Sequence, residues 1–465
     1  MIAVWCGSSA WSFEEGSLRL RREDWSQSSV KAPTQTWLEL ENRQYFNSSL
    51  PSYPRGAKSD NSSVHLGLRD TGRLGHGFTS QIQFTNQYSA TENWNYFDLH
   101  EAYVAWPRQS WGLSLGRKLE LWSNIDRDWQ LGLFQPRYSE DRLHPVEAGL
   151  TGLFVNAQSE PVRVSVGLLP IYIPDFGPHS ELKDQHFSSR NPWFHAPVDQ
   201  VLLGGTPTDI RYEVDVPPTR DIVLNPGIVS KIEYQHANYA ARAGYAYKPI
   251  NAMALGFPSD HQAVVGETET YMTIRIHPRI VYSRVVSLDQ QYSQGRWLGS
   301  VSLVNDQPVD NRGPDNFTSQ QLAPANIFSG RLRWQVDSGL RASQIYFGWV
   351  KVNGGEARET GRFAGKEALF ESRFQFAEAY NLGINTEFRQ FRNHPISLDG
   401  RVIYDRLQGG GAVMLASAYR WNQNWRGLLQ LDFMGLLVSD AAVQNGFFSS
   451  YRANDNVSMG VAYVF

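Results

Sequence analysis

Short segments in which every second residue is apolar recur along almost the whole chain. In residues 328–337, Leu332 and Trp334 alternate with Arg331 and Arg333. Side chains two residues apart in a β-strand point to the same face, so this segment has one apolar and one polar face. Similar alternation occurs at residues 78–85, 162–166 and 425–433. Helical periodicity is almost absent, and the pattern predicts an all-β protein.

The final ten residues, NVSMGVAYVF, show the same alternation and end on an aromatic residue. Val457, Met459 and Val461 share one face with Tyr463 and Phe465, while the residues between them are mostly small or polar. A strand with an apolar face and a face of small or polar residues suits a wall between lipid and water. We therefore interpret the alternation as that of a membrane barrel.

Composition agrees with a barrel and excludes other classes. No stretch approaches the roughly 18–20 consecutive apolar residues of a transmembrane helix, and the mean hydropathy is −0.41. Aromatic residues make up 13% of the chain, with 15 Trp and 21 Tyr, and such amphipathic rings gather at both rims of a membrane barrel. The net charge of −3 argues against a nucleic-acid partner.

Turn-forming stretches divide the connections into short and long ones. Tight connections are predicted at residues 70–75, 107–110, 158–161, 235–238, 291–295 and 408–411. Long ones are predicted to run for about 30 residues from 119, about 58 from 169 and about 24 from 305. This division predicts a transmembrane antiparallel β-barrel of about 18–20 strands, with short periplasmic turns and long extracellular loops.

Soluble all-β folds are the alternative. β-Sandwiches, propellers and β-helices also contain many short strands, but no fixed internal repeat is present. Three stretches could each add or remove a strand: those around Leu18, through His277 and Pro278, and near Phe447. Residues 1–12, with the single cysteine Cys6, resemble a signal peptide with a clipped start. Residues 13–465 are predicted to form one barrel domain.

Two stretches resemble segments of known families. The end of the chain, with Tyr463 and Phe465, resembles the C-terminal insertion signal of Gram-negative outer-membrane barrels. The stretch from Leu99, with EAYV at 101–104 and LGR at 115–117, resembles alginate-export-like and related uncharacterised porin families. The resemblance implies an outer-membrane porin, recognised by the barrel-assembly machinery through its last strand.

Arginine dominates the cations, with 35 Arg against eight Lys. Arginine pairs carboxylates and phosphates bidentately, so an arginine-lined lumen would favour anionic solutes. Cross-strand pairing with acidic neighbours is the alternative. The predicted pore-lining residues are Arg163, Lys231, Glu233, Arg242, Arg275, Arg331, Arg333, Arg373, Glu387, Arg389, Arg426 and Asp432.

The long connection over residues 169–226 is rich in proline and interleaved with large apolar residues. Loops of this length are usually functional or disordered. We predict that it folds into the barrel mouth and narrows it, with an outward cap as the alternative. The constriction candidates are Asp175, His186, Arg190, Trp193 and Phe194.

Enzymatic motifs are not apparent. The histidines of the long loop lack metal-ligand spacing, and GGTPTD is not a nucleophile turn. Asn124, Asp126 and Asp128 offer oxygen ligands but lack a calcium loop's glycine and closing glutamate, so we interpret them as a solvated acidic turn.

The sequence thus predicts a passive channel for small or extended hydrophilic solutes in the outer membrane of a Gram-negative bacterium. A preference for anionic solutes stays open. We expect no catalytic residue, metal or other cofactor. A structural or adhesin-type surface protein with a closed lumen is the alternative, and a barrel-embedded hydrolase is a more distant one.

Overall fold

A computed structural model describes residues 34–50, 53–75, 77–258, 262–265, 270–309, 317–337, 341–355, 357–360, 373–391, 394–437 and 446–465. The proposed signal peptide and the stretch around Leu18 lie outside the described residues. Eighteen strands form one closed antiparallel sheet. They are β1 (Thr34–Tyr45), β2 (Asp60–Gly75), β3 (Phe78–Ser89), β4 (Trp94–Pro107), β5 (Trp111–Lys118), β6 (Leu150–Ser159), β7 (Val162–Leu169), β8 (Gly227–His236), β9 (Tyr239–Pro249), β10 (Tyr282–Gln294), β11 (Trp297–Val309), β12 (Ala325–Asp337), β13 (Arg341–Gly354), β14 (Glu378–Phe391), β15 (His394–Asp405), β16 (Gly410–Arg420), β17 (Trp425–Leu436) and β18 (Asn456–Val464).

The barrel closes between its first and last strands. β1 pairs with β18 in a register that runs from Trp37 opposite Val464 to Tyr45 opposite Asn456. Closure leaves no free edge, so the wall's backbone polar groups are paired within the sheet, as a lipid environment requires. The predicted fold class and strand number are confirmed.

The two ends of the barrel differ in their connections. At one end, the turn rim, two to four residues join successive strands, and the barrel's first and last strands also begin and end there. The connections at the opposite end, the loop rim, are residues 46–59, 90–93, 119–149, 170–226, 250–281, 310–324, 355–377, 406–409 and 437–455. The predicted division into short turns and long loops is confirmed.

Some connections differ in detail from their predictions. The tight connection predicted at 70–75 falls within a strand, because β2 extends to Gly75 and β3 begins at Phe78. The short connection predicted at 408–411 lies at the loop rim, because β16 begins at Gly410 and runs towards the turn rim. The long connection predicted from 305 is shorter, since β11 extends to Val309. The connection 250–281 was not predicted as a loop at all.

Apolar side chains cover the outside of the wall. On β12, Phe328 and Leu332 are 39% and 48% exposed, whereas Ser329, Arg331 and Arg333, which alternate with the outward residues, are buried inside the barrel. A closed belt of exposed apolar residues is unfavourable in water and favourable in lipid. The outward face is therefore the membrane-spanning face of the barrel.

Aromatic rings border this belt at both rims. Trp297 stacks on Trp334 near the turn rim, with ring centroids 5.9 Å apart. Tyr247 packs on Tyr282 near the loop rim, at 5.3 Å. From Tyr282 to Tyr292 on β10 the strand rises about 33 Å, or roughly 25 Å along the barrel axis at a tilt near 40°. That height matches the hydrocarbon band of a membrane barrel.

Smaller secondary-structure elements form within the connections of the loop rim. A seven-stranded sheet combines segments of four loops: Gln200–Leu203, Thr206–Val214, Ala254–Pro258, Gln262–Val265, Thr270–Arg279, Phe317–Leu322 and Ala357–Thr360. The stretch through His277 and Pro278 therefore forms a strand of this sheet and not of the wall. Two short hairpins are Arg137–Tyr138 with Val146–Glu147, and Glu181–Lys183 with His186–Ser188.

Three short helices complete the described structure. They are α1 (Asn124–Trp129), α2 (Thr219–Val223) and α3 (Phe447–Tyr451). The sequence left undecided whether the stretch near Phe447 forms an additional strand. It forms the helix α3. Within the described ranges, no helix is long and apolar enough to cross a membrane.

Candidate functional site

Residues 119–149, which we call the inward loop, run through the inside of the barrel. Trp129 donates from Nε1 to Ser329 Oγ on β12 at 3.2 Å, and His144 Nε2 lies 3.0 Å from Asp432 Oδ2 on β17. Both wall residues belong to the buried, inward set of their strands. The loop therefore reaches well-separated parts of the wall from within the lumen.

Charged contacts extend this attachment to two further strands. Arg43 Nη1 on β1 donates to Asp141 Oδ2 at 2.6 Å. On β10, Asp289 accepts from the hydroxyl of Ser123 and from the backbone N–H of Asn124, each at 3.2 Å. Contacts on β1, β10, β12 and β17 surround the loop, so it narrows the lumen from inside.

Local capping explains the fold of the inward loop. Ser123 is the N-cap of α1, with its hydroxyl accepting from Ile125 N at 3.3 Å. The helix ends at Gln130, whose φ of 51° is left-handed. Asp126 then accepts from the backbone N–H groups of Leu133 and Phe134 at 2.9 and 2.8 Å. A capped turn of helix followed by a carboxylate-bound return is a compact hairpin-like unit.

Burial has an electrostatic consequence at Asp126. Removal from water raises the pKa of its carboxyl, and the hydrogen bonds from Phe134 and Leu133 partly offset this by favouring the charged form. The expectation of a solvated acidic turn is wrong, because Asn124, Asp126 and Asp128 are at most 8% exposed. Their oxygens bind the loop to itself and to the wall.

Aromatic residues fill the space around α1. Trp129 is 2% exposed and contacts Phe376 edge-on, with centroids 5.4 Å apart. Trp122 is 1% exposed and stacks on Phe134 at 6.3 Å. Buried rings of this size contribute a large part of the loop's attachment. Residues 119–149 contain two Trp and one Phe, a density close to that of the whole chain, so composition gave no clear signal of an inward position.

Ion pairs cross neighbouring strands on the inner wall. Arg242 Nε donates to Glu233 Oε1 at 2.7 Å, and these residues are opposite each other on β9 and β8. Lys231 Nζ lies 3.5 Å from Glu120 Oε2 of the inward loop. The cross-strand pairing considered from the sequence is thus present for Arg242, whereas Lys231 pairs with the inward loop.

The structure distributes the predicted pore-lining residues over three locations. On the inner face of wall strands lie Arg163, Lys231, Glu233, Arg242, Arg331, Arg333, Glu387, Arg426 and Asp432. Arg373 lies in the loop 355–377 and forms an ion pair with Asp306. Arg275 lies in the loop-rim sheet and donates to Glu213 at 2.8 Å, so it is not in the wall. Arg389 is on β14, with its side chain outside the described part.

The predicted constriction residues contact elements of the loop rim. Trp193 is 1% exposed and packs on Tyr451 of α3 at 5.3 Å. Arg190 Nη1 donates to the carbonyl of Thr91 at 2.9 Å. The remaining candidates are Phe194, 6.3 Å from Phe187 between ring centroids, and His186, between Asp199 and Asp209.

Asp175 joins this long loop to the inward loop. Its carboxylate accepts from the backbone N–H of Arg137 at 2.8 Å and from Arg137 Nη2 at 2.9 Å. Residues 170–226 therefore contact the outer end of the segment that occupies the lumen. Whether they narrow the mouth themselves stays a prediction.

Two buried groups of acidic residues and histidine have ligand atoms close enough for a metal ion. One consists of Asp141, His144 and Asp432, and the other of Glu39, Glu41 and His65. Cations and amides of the protein already occupy them: Arg43 contacts Asp141 and also Glu41, the latter at 2.9 Å. We therefore interpret both groups as polar networks that hold the inward loop and the first strands.

A cavity opens on the turn-rim side of α1. Its volume is about 740 Å³, and its lining includes Asn124, Arg163, Glu233, Arg242 and Asp289. Because these side chains are polar and face the lumen, the cavity is suited to water and hydrophilic solutes. Asn124 is the inward-loop residue in this lining.

Comparison with known proteins finds no match among protein-family models or among curated proteins. Among solved structures, the chain is similar to a mutant porin of Rh. blastica at 10% identity and a TM-score of 0.40, over 93% of this chain and 99% of that one. It is also similar to OmpT, an outer membrane protein of Vibrio cholerae, at 10% identity and a TM-score of 0.38, over 93% and 97% of the two chains. The fold itself follows from the strand pairing and closure described above.

Proposed function

We propose that this protein is a channel of a Gram-negative outer membrane, through which small or extended hydrophilic solutes diffuse passively. The turn rim would face the periplasm and the loop rim the outside. The observation that carries this proposal is the inward loop, which is pinned to the polar inner wall on opposite sides while the outer wall is apolar. This arrangement sets a bore within a membrane wall, as a diffusion channel requires.

Charge along the bore would select among solutes. Arg331 and Arg333 are buried on the inner face of β12, where guanidinium groups attract carboxylate and phosphate solutes. Acidic partners such as Asp128 reduce this effect, since its carboxylate lies 3.0 Å from Arg331 Nη1. We infer a moderate preference for anions. Replacing both arginines with Gln should shift the reversal potential in asymmetric salt towards cations, and an unchanged potential would contradict the inferred preference.

A closed lumen is the second candidate, because Trp122 and Trp129 bury large rings in the middle of the barrel. In that case the loop-rim sheet would be the functional part, as an adhesin or structural surface. Swelling of liposomes in isotonic uncharged sugars of graded size separates the two. A channel gives swelling that falls with sugar size. Absence of swelling with a heat-resistant folded barrel would support the closed alternative.

Assembly is proposed to depend on the last strand. Phe465 is 67% exposed and contacts Tyr463 edge-on at 4.8 Å, both on the outward side near the turn rim. An exposed aromatic pair at the end of the last strand is available to the barrel-assembly machinery before the barrel closes. In the closed barrel, Phe465 N donates to Thr36 O at 2.9 Å.

A further inference from the structure

A groove crosses the outer, lipid-facing wall from β10 to β14. Its volume is about 1000 Å³. Its course follows one row of register partners: Gln290, Val301, Gly330, Trp349 and Tyr380. Four strand spacings of about 4.8 Å give the groove a length of roughly 19 Å.

Glycines form the floor of this groove. A Cβ added at Gly299 would meet nothing within 4 Å, and one at Gly330 would meet only Trp349, at 3.8 Å. Leu332 and Phe347, both about half exposed, flank the depression. Glycine inside a strand removes side-chain packing and often marks a close approach by another molecule. The floor and flanks suit a hydrocarbon chain.

The groove is inclined across the membrane band. Gln290 lies four residues from the turn-rim end of β10, whereas Tyr380 lies two residues from the loop-rim end of β14. A chain lying in the groove would therefore start at the loop rim and descend towards the turn rim. Its polar end would lie beside Lys351 and Glu378.

Cations exceed anions at the loop-rim end of the groove. Glu378 accepts from Arg406 Nε and Nη2 at 2.7 and 2.8 Å, and Lys351 Nζ is 3.8 Å from Glu378 Oε2. The side chains of Lys351 and Arg406 remain 42% and 55% exposed. Two cations against one carboxylate leave a positive charge at the depth of a lipid headgroup.

Amide groups continue this polar end along the wall. Asn305, Asn326 and Asn353 are register partners on β11, β12 and β13, and all three are exposed. Asn305 Nδ2 donates to Asn326 Oδ1 at 2.8 Å. The amides add hydrogen-bond donors and acceptors next to the positive charge.

We propose that this groove binds a phosphate-bearing lipid of the loop-side leaflet, with an acyl chain over Gly330 and the phosphate at Lys351 and Arg406. Charge complementarity selects the phosphate, and the inclined apolar floor selects a lipid over free phosphate. The site belongs to the outside of the barrel and is independent of the lumen.

The test uses the purified barrel in neutral detergent, incubated with dioleoylphosphatidylglycerol, with retained lipid counted by native mass spectrometry. Gly330→Phe fills the groove, and the double variant Lys351→Gln, Arg406→Gln removes its positive charge. Each should weaken retention about tenfold, as expected for the loss of a charge-assisted hydrogen bond or of a well-packed chain.

Two matched controls lie outside the groove. Gly435→Phe places a ring on another open glycine of the wall, and Arg284→Gln removes an exposed arginine of β10. Both should retain lipid as the wild type does, and dioleoylglycerol, which lacks phosphate, should be retained more weakly. Equal retention by all variants would overturn the proposal. So would dissociation of an oligomer by Gly330→Phe with unchanged lipid, because the groove would then be an interface between copies.

Discussion

Nη1 of Arg331 on β12 lies 3.0 Å from Oδ1 of Asp128 in the inward loop. Both side chains are buried, at 7% and 5% exposure, and the guanidinium also lies 4.3 Å from the ring centroid of Tyr346. Removing one partner of a buried ion pair costs more than the pair itself contributes, because the other charge is left without compensation. This contact therefore links the position of the loop to the charge of the bore.

Asp128→Asn should make the bore more selective for anions. Without the carboxylate, the positive charge of Arg331 is less compensated at the narrow part of the lumen. A unit charge at about 4 Å in a wet environment changes the free energy of an ion by about 1 kcal/mol, or about fivefold in relative permeability. Reversal potentials in asymmetric KCl measure this change.

The matched control for this substitution is Asp221→Asn. Asp221 lies on α2 at the loop rim with its side chain 56% exposed, so its charge is screened and distant from the inner wall. The reversal potential of the Asp221→Asn variant should equal that of the wild type. If both variants behave alike, Asp128 does not border the conducting path.

Trp129→Ala should loosen the inward loop and widen the bore. The substitution removes the edge-on contact with Phe376 and the hydrogen bond to Ser329. Truncation of a buried Trp costs about 3–5 kcal/mol of stability. This loss should destabilise the position of the inward loop and not the wall, because the closed sheet is held by its own backbone hydrogen bonds. Larger sugars should then enter liposomes that contain the variant.

Trp421→Ala provides the comparison for Trp129→Ala. Trp421 lies at the turn rim and is 44% exposed, so its removal leaves the lumen unchanged. A size limit that is the same in both variants would show that the inward loop does not set the bore.

Glu92 makes the contact between the connection 90–93 and the long loop 170–226 sensitive to pH. Its carboxylate accepts from Tyr96 at 2.6 Å and from Asn191 of the long loop at 3.2 Å. Burial, followed by the nearby charge of Glu140, raises the pKa of Glu92 from 4.5 to about 7. The folded contact thus holds a proton that the unfolded segment releases, and its stability falls as pH rises from about 4.5 to 7.

The backbone amide of Trp193 donates to Asn191 Oδ1 at 2.9 Å. Its hydrogen exchange therefore reports local unfolding of the contact between Glu92 and Asn191. After correction for intrinsic exchange, protection should fall between pH 5 and 7 in the wild type, as a raised carboxyl pKa requires. Glu92→Gln should remove the fall and protect the amide better above pH 7. Glu160→Gln, in the turn 160–161, should keep the wild-type profile. A flat wild-type profile would contradict the raised pKa of Glu92.

Phe465→Ala should slow assembly and leave the finished barrel as stable as before. The ring is exposed in the closed barrel, so its loss removes little packing from the native wall. Insertion into proteoliposomes with purified assembly machinery, followed by heat-shift electrophoresis, measures the rate. Phe433→Ala, another exposed outward ring, should assemble at the wild-type rate. Equal rates for both variants would show that the terminal ring is not the signal.

Local alternation was sufficient to predict the wall. Successive side chains of a strand point to opposite faces. Arg331 and Leu332 could therefore be assigned to the inside and the outside of the barrel from the sequence alone. The barrel was inferred from the same alternation, because a strand with one apolar face and one polar face suits a wall between lipid and water. Strand ends were harder to predict: Val309 carries no strong turn signal, and Gly410 lies in a glycine run that was predicted as a turn although β16 begins there.

The inner arrangement depends on contacts between residues far apart in the chain. Proline content and length drew attention to residues 170–226, yet the inward loop is 119–149, where Asp126 and Trp129 are fixed by hydrogen bonds and by rings from other segments. An acidic residue near a turn resembles a solvated one until its distant partners are known. Arg275 shows the same limit, since its strand alternates like a wall strand but pairs within the loop-rim sheet.

Single-channel recording in planar lipid bilayers tests the central claim most directly. The purified barrel should produce discrete, uniform current steps in symmetric KCl, and Trp129→Ala should produce larger ones. Folded wild-type protein that inserts into the bilayer without any current step would contradict the claim that a water-filled path runs through this barrel.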